Sequence, residues 1–463
     1  MIIGSVVLPH PPAAVPEIGY RDIDRMKATE EAYEKAAEFV AKLRPETIIV
    51  TSPHATMYRD YFNISGGRSA DGNFGQFRAP QVKFHVQYDT DFIGTLAGLC
   101  EKQTFPAGTD YDRDPELDHG TMVPLYFIRQ EYSDFQLVRI GLSGLSLRDH
   151  YRLGQLIQEA IHITGRRVLF LASGDLSHCQ KVSGPYGYKK EGPEYDRRIM
   201  QDLGNADFGK FFTYPESFLE KSMECGHRSF VIMAGALDRT AVKAQILSHE
   251  APFGVGYGVV TFETAGRDES RDFLEQFERQ EEAQVVSQSA REDAYVTLAR
   301  QSVNSWVKYH RVLPLPDGLP QEMTGQRAGV FVSLHEDGEL RGCIGTIRPA
   351  EESIAKEIIQ NAISAASRDP RFDPVRPEEL KILVISVDVL SDPEPIESLS
   401  KLDPERFGVI VSKGMKRGLL LPRLEGVDTV EEQIRIACRK AGLDPDEDDI
   451  RLQRFEVVRH EVR

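Results

Sequence analysis

Basic charge is in short supply in this chain: 56 Lys and Arg stand against 72 Asp and Glu over 463 residues, a formal net charge of −16. Such a field repels phosphate backbones, so nucleic acid is excluded as an expected partner. Cysteine is scarce too. Cys100, Cys179, Cys225, Cys343 and Cys438 are odd in number, widely spread and without a CxxC pair, which argues against a disulfide framework or a zinc ribbon and for a reducing, cytoplasmic setting. No apolar run approaches the roughly 20 residues that span a bilayer, so no membrane segment is expected. The opening MIIGSVVLPHPPAAVPEIG lacks a basic leader, and Pro9, Pro11 and Pro12 would break a signal helix. It reads as a first strand.

What is present is a chain too long for one hydrophobic core. IIGSVVL (2–8), TIIVTS (47–52), FQLVRIGL (135–142), RVLFLAS (167–173) and GYGVVTFET (256–264) read as strands, and DIDRMKATEEAYEKAAEFVAKL (22–43) and LRDHYRLGQLIQEAIHIT (147–164) as helices. That alternation predicts an α/β domain at residues 1–268, a mixed sheet flanked by helices. Composition then shifts to a charged stretch without strand signals, which suits an exposed helix or linker at 269–289. A smaller α+β domain is expected at 290–463. Its signals are a helix at 294–310, strands at 329–335 and 382–390, and a late helix that ends on Gly442 as a C-cap would.

Three strands of the first domain end on histidine: His10 in SVVLPHPP, His54 in TIIVTSPHATMY and His178 in VLFLASGDLSHC. In open α/β sheets sites form outside the carboxyl ends of strands, where side chains from separate loops converge. Pro9, Pro11 and Pro53 stiffen the backbone beside two of them, as a metal site needs. His119 in LDHGTMVPL and His227 in ECGHRSF are further candidates, whereas His85, His150, His162 and His249 read as structural. Two imidazoles and a carboxylate leave open positions suited to non-haem Fe(II). His10 and His54 supply the imidazoles, and the pair Glu224-Cys225 supplies a third ligand of either type. Asp175 could hold the His178 imidazole by a hydrogen bond or cap the turn that follows.

The ordered set LPHPP, SPHATMY, LDHGTMVPL, SGDLSH and ECGHRSF resembles the class III extradiol ring-cleavage dioxygenases and the related Memo family, over Met1 to about Thr264. The resemblance implies that His10 and His54 bind iron, with zinc or another divalent metal as substitutes. It also implies that His178 is an acid/base toward a small catecholic substrate and that His119 lines the pocket. The third ligand is Glu224 on the dioxygenase pattern and Cys225 on the Memo pattern; Glu224 is preferred for iron chemistry.

In the second domain ELRGCIGTIRP, SRDPRFDPVRPEEL, GLLLPR and CRKAGL resemble the AMMECR family over nearly all of Asp293 to Arg463. Cys343 reads either as a small residue packed between glycines or as an accessible thiol whose thiolate Arg341 stabilises. The fusion resembles proteins of the AmmeMemoRadiSam system, which implies a radical-SAM protein partner. The expected function is an Fe(II)-dependent extradiol-type dioxygenase. The alternative is a non-catalytic metal-binding adaptor that presents the AMMECR domain to that partner. A zinc hydrolase is disfavoured because no HExxH-type glutamate is present. Oligomeric state is not legible.

Overall fold

Four of the five strand-forming runs in the N-terminal half lie side by side and parallel, because intervening helices carry the chain back across the sheet each time. They are β1 (Ile2–Leu8), β2 (Thr47–Ser52), β3 (Gln136–Gly141) and β4 (Val168–Ser173), in the order β3-β2-β4-β1. The sheet is completed by two antiparallel strands, β5 (Thr240–Glu250) and β6 (Tyr257–Arg267), with β6 against β1. The computed structural model describes residues 1–110, 116–336, 338–424, 426–445 and 449–462. Its two units are Met1–Glu278 and Arg279–Arg463.

Every residue of β1, β2 and β4 is buried, as expected of central strands covered on both faces. The helices that cover them include α1 (Lys27–Leu43), α2 (Thr90–Lys102), α3 (His119–Glu131), α4 (Leu147–Thr164), α5 (Glu191–Gly204) and α6 (His227–Ala236). A two-stranded hairpin, Ser69–Phe74 with Ala79–Gln87, stands apart from the main sheet. Helices α4 and α6 touch backbone to backbone: a Cβ on Gly154 would lie 2.2 Å from the Ile232 carbonyl oxygen, and one on Gly235 would lie 2.0 Å from that of Tyr151. The Tyr151 hydroxyl locks the pair by donating to Asp238 Oδ1 (2.7 Å).

The division between units falls inside helix α7 (Phe273–Ser289), in the stretch read from sequence as a helix or linker. Phe277 stacks on Phe212 of the first unit, whereas Glu282 pairs with Lys381 of the second. The second unit is one curled antiparallel sheet. Its strands are β7 (Gly329–Glu336), β8 (Glu339–Gly345), β9 (Val384–Leu390), β10 (Phe407–Lys413), β11 (Lys416–Leu420) and β12 (Arg451–His460), ordered β8-β7-β9-β12-β10-β11. A two-residue strand, Glu394–Pro395, also pairs with β12. Helices α8 (Ala294–Tyr309) and α9 (Ile354–Ser367) bury Val330, Val332, Leu334, Ile385 and Val387 on one face. Helix α10 (Val430–Ala441) ends on Gly442 in the left-handed region, φ 64°. Among the described residues none of the five cysteines forms a disulfide. No helix among the described residues is long and apolar enough to cross a membrane.

The α4–α6 contact yields a prediction. Gly235→Ala forces two helices apart and should cost the first unit about 1–3 kcal/mol. The one tryptophan, Trp306, lies in α8 of the second unit. Denaturant unfolding followed by circular dichroism should therefore shift in the variant while Trp306 fluorescence does not; equal shifts in both signals would mean that the units unfold as one.

Candidate metal centre

The register of the sheet places three loops side by side. Val7 pairs with Ala172 and Leu8 with Ser173, while Thr51 pairs with Ala172 from the other side, so β1, β4 and β2 end together. The residues just past those ends are His10, then Asp175 and His178, then His54. The His10 loop is fixed at several points. The Gly174 amide donates to the Leu8 carbonyl (3.1 Å), the His10 amide to Asp175 Oδ1 (2.8 Å), and the Tyr33 hydroxyl to the Pro9 carbonyl (2.6 Å).

Helix α3 brings a third imidazole. Asp118 caps it, accepting from the Thr121 amide and hydroxyl, both at 2.9 Å. The same carboxylate accepts from Ser52 (2.5 Å), at the end of β2, and lies 3.5 Å from the buried Arg139 guanidinium. Burial alone would raise the Asp118 carboxyl, but those hydrogen bonds and Arg139 outweigh it and hold it below the usual range. His119 is thereby set against His54, with ring centroids 3.9 Å apart. One nitrogen each from His10, His54 and His119 lie within 4.8 Å of one another.

The protons in this cluster can be placed. Ser173 has one hydroxyl proton and donates it to the Gly120 carbonyl (2.5 Å), which can only accept. The 3.0 Å contact between Ser173 Oγ and His10 Nδ1 then needs the imidazole as donor. His10 is protonated on Nδ1, and its Nε2 is a bare lone pair. That lone pair lies 3.1 Å from His54 Nε2 and 3.7 Å from Cys225 Sγ. Two nitrogens 3.1 Å apart are near enough to hold one cation between them at imidazole–metal distances of about 2.1 Å. Burial lowers all three imidazoles below the usual histidine range, His119 to about 3. They stay neutral, as ligands must. These residues fit a divalent metal with His10 held by Ser173 from behind.

Other candidates fall in different places. Cys225 faces the cluster: its Sγ accepts from the Asp175 amide (3.3 Å), and burial raises its thiol well above the ordinary value. The approach depends on two glycines, since a Cβ on Gly174 would lie 2.1 Å from Gly226 Cα. Glu224 is turned elsewhere. Its carboxylate accepts from the His227 amide (2.6 Å) at the start of α6, and burial raises it to about 7. His227 is buried with Nε2 on the Phe211 carbonyl oxygen (3.0 Å), apart from the cluster. Asp175, which burial raises to about 6, lies between His10 and His178 electrostatically, and half-buried His178 carries Tyr186 on its ring face. Beside His54 and His119 opens a pocket of about 330 Å³ lined by Asn73, Gln76, Glu116 and Asp118. Sequence reasoning did not find Asp118, Ser173 or the hairpin residues Asn73 and Gln76. An Asp three residues before Thr at a helix start was the available signal for Asp118.

In the second unit Arg341 does not serve Cys343. Its guanidinium is engaged by Glu379 (2.7 Å) and the Asp373 carbonyl (2.9 Å). The Cys343 thiol instead accepts from Ser333 (3.3 Å), and Arg371, paired with Asp369, donates to the Cys343 carbonyl (3.1 Å).

Residues 4–260 match the family model described as the catalytic LigB subunit of aromatic ring-opening dioxygenase, and residues 296–460 match AMMECR1. A Clostridium acetobutylicum protein is 39% identical over 465 residues, which is 99% of this chain and 98% of that protein. A Thermotoga maritima protein is 52% identical over 170 residues, 36% of this chain and 98% of its own length. The crystal structure of a Pyrococcus horikoshii protein, 35% identical, covers 37% of this chain and 91% of its own, with a TM-score of 0.35.

The lowered imidazoles give a sign for pH dependence. A lowered pKa keeps the neutral, ligating form down to lower pH, so zinc uptake by the full chain should be flat from about pH 8 to about pH 6 and decline only below that. Equilibrium metal titrations across this range check it. A midpoint near 6.5, the ordinary histidine value, would mean that the three titrate as if exposed.

Proposed function

We propose that this chain, which belongs to the family of the catalytic LigB subunit of aromatic ring-opening dioxygenase over residues 4–260 and carries an AMMECR1 domain over residues 296–460, is a metal-dependent oxidoreductase of the extradiol type. Its substrate is a small catecholic aromatic, and its setting is the cytoplasm. The observation that carries this reading is the bare Nε2 of His10 facing His54 Nε2 at 3.1 Å. Fe(II) is the proposed ion, with zinc or another divalent cation able to occupy the same imidazoles. When bound, it supplies Lewis acidity toward vicinal hydroxyls and a position for dioxygen.

The chain's own residues do the rest. His10 and His54 hold the ion. The third position falls to His119 or Cys225 rather than Glu224, whose carboxylate is spent on the His227 amide. Burial lowers His178, so at neutral pH it is an unprotonated imidazole able to take a proton from a substrate hydroxyl and return it later. Asp175 favours the imidazolium that results, through its nearby negative charge. Asn73, Gln76 and Glu116 offer hydrogen bonds to polar substituents in the adjoining pocket.

One observation favours a second reading. Cys225, not Glu224, stands beside His10, and a thiolate softens a metal site. On that reading the first unit is a metal-binding adaptor that presents the AMMECR1 domain to a radical-SAM protein.

Anaerobic iron loading followed by oxygen uptake on a catechol panel separates the two. His10→Ala and His54→Ala should lose stoichiometric metal, and Glu224→Gln should keep it. His178→Ala should keep metal yet turn over an accepted catechol roughly 10²–10⁴-fold more slowly. Full activity without His178 would remove it from the mechanism, and stoichiometric metal without oxygen uptake on any catechol would leave the adaptor reading.

A further inference from the structure

We propose that Tyr186 is a positioning residue for His178, clamping its imidazole at the rim of the centre; this rests on the reading of His178 as the acid/base. The two rings lie nearly parallel, 27° between planes and 5.2 Å between centroids, an offset stack. A proton-transfer imidazole needs one held orientation. The neighbouring carboxylate does not hold it: among the described residues no hydrogen bond joins Asp175 to His178, and Asp175 acts on the imidazole through its charge alone.

The loop that carries Tyr186 is built to keep it in place. The Gln180 amide donates to the Gly254 carbonyl (3.0 Å) and the Lys189 amide to the Cys179 carbonyl (3.1 Å), with a bridge between Gln180 and Tyr188. Gly184 lies against Gly254, where a Cβ would come within 3.1 Å of the Gly254 Cα. On this pinned frame Val182, Tyr186 and Tyr188 are 84%, 52% and 55% exposed. Of the three, Tyr186 has one ring face against His178 with about half its surface in water.

The test uses the full chain and two readouts that do not need turnover. The first is the rate at which diethylpyrocarbonate modifies His178, resolved by peptide mass spectrometry. The second is 4-nitrocatechol binding to zinc-loaded protein, read by absorbance, with metal content measured on each sample. Loss of the stack should speed His178 modification roughly 3- to 10-fold in Tyr186→Ala and in the bulk-preserving Tyr186→Leu. Tyr186→Phe should restore the wild-type rate, and metal content should be equal throughout. Equal rates in all four proteins, or loss of protection in Tyr186→Phe to the level of Tyr186→Ala, would overturn the proposal. 4-Nitrocatechol should bind Tyr186→Ala more weakly by a similar factor. If the loaded wild type binds none of it, the catecholic substrate is refuted, while the His178 rates still decide the role of Tyr186.

Discussion

A carbonyl oxygen can only accept, and the Gly120 carbonyl at the start of α3 thereby orders the whole centre. It takes the one proton of Ser173, which obliges His10 to donate from Nδ1 and leaves Nε2 free. Three elements meet in that chain: α3 supplies the carbonyl, β4 ends on the hydroxyl, and the loop after β1 holds the imidazole. The backbone of α3 is itself placed by Asp118, which is tied to the end of β2 through Ser52. A single run of hydrogen bonds thus converts the register of a parallel sheet into the direction of one lone pair.

The electrostatics follow from the same burial. Three imidazoles brought within a few ångströms would repel one another if charged, and their shared desolvation keeps them neutral instead. The carboxylates nearby behave oppositely according to their partners. Asp118, bonded on both oxygens and near Arg139, stays well ionised, whereas Asp175 with one amide is raised to about 6. The centre combines neutral ligands, a firm negative charge behind His119 and a softer one beside His178.

Much of this was legible in the residues. The runs 2–8 and 47–52 read as strands are β1 and β2, and 147–164 is α4 to the residue, because β-branched runs and 3.6-residue periodicity are local signals. His10, His54 and His178 could be placed at strand ends for the same reason. Their convergence could not, since it depends on which strands are neighbours, and β4 lies between β1 and β2 although it follows them in sequence. That Cys225 rather than the preferred Glu224 faces His10 was beyond reach, because it turns on which of two adjacent side chains accepts from the His227 amide. Strand β5 went unread: its exposed, polar pattern belongs to a sheet edge and carries no apolar run. In the second unit the strands β10 to β12 were also missed, and Arg341, two residues before Cys343, is the extra residue at a register shift between β7 and β8, which aims it at Glu379.

The contact between Gly174 and Gly226 constrains how such a chain can vary. Most packed pairs tolerate exchange, a larger residue on one side balanced by a smaller one on the other. At Gly174 the collision is with the backbone of Gly226, 2.1 Å away, so no compensating side-chain change exists there, whereas a Cβ on Gly226 would first meet the Phe230 ring at 2.5 Å. Gly174 is therefore the firmer constraint, and a relative with a side chain there must carry its cysteine loop elsewhere, whereas one at Gly226 needs a smaller residue in place of Phe230 and a slight shift of the loop. A glycine that bears no functional group thus serves as the sequence mark of whether a thiol stands beside the first histidine.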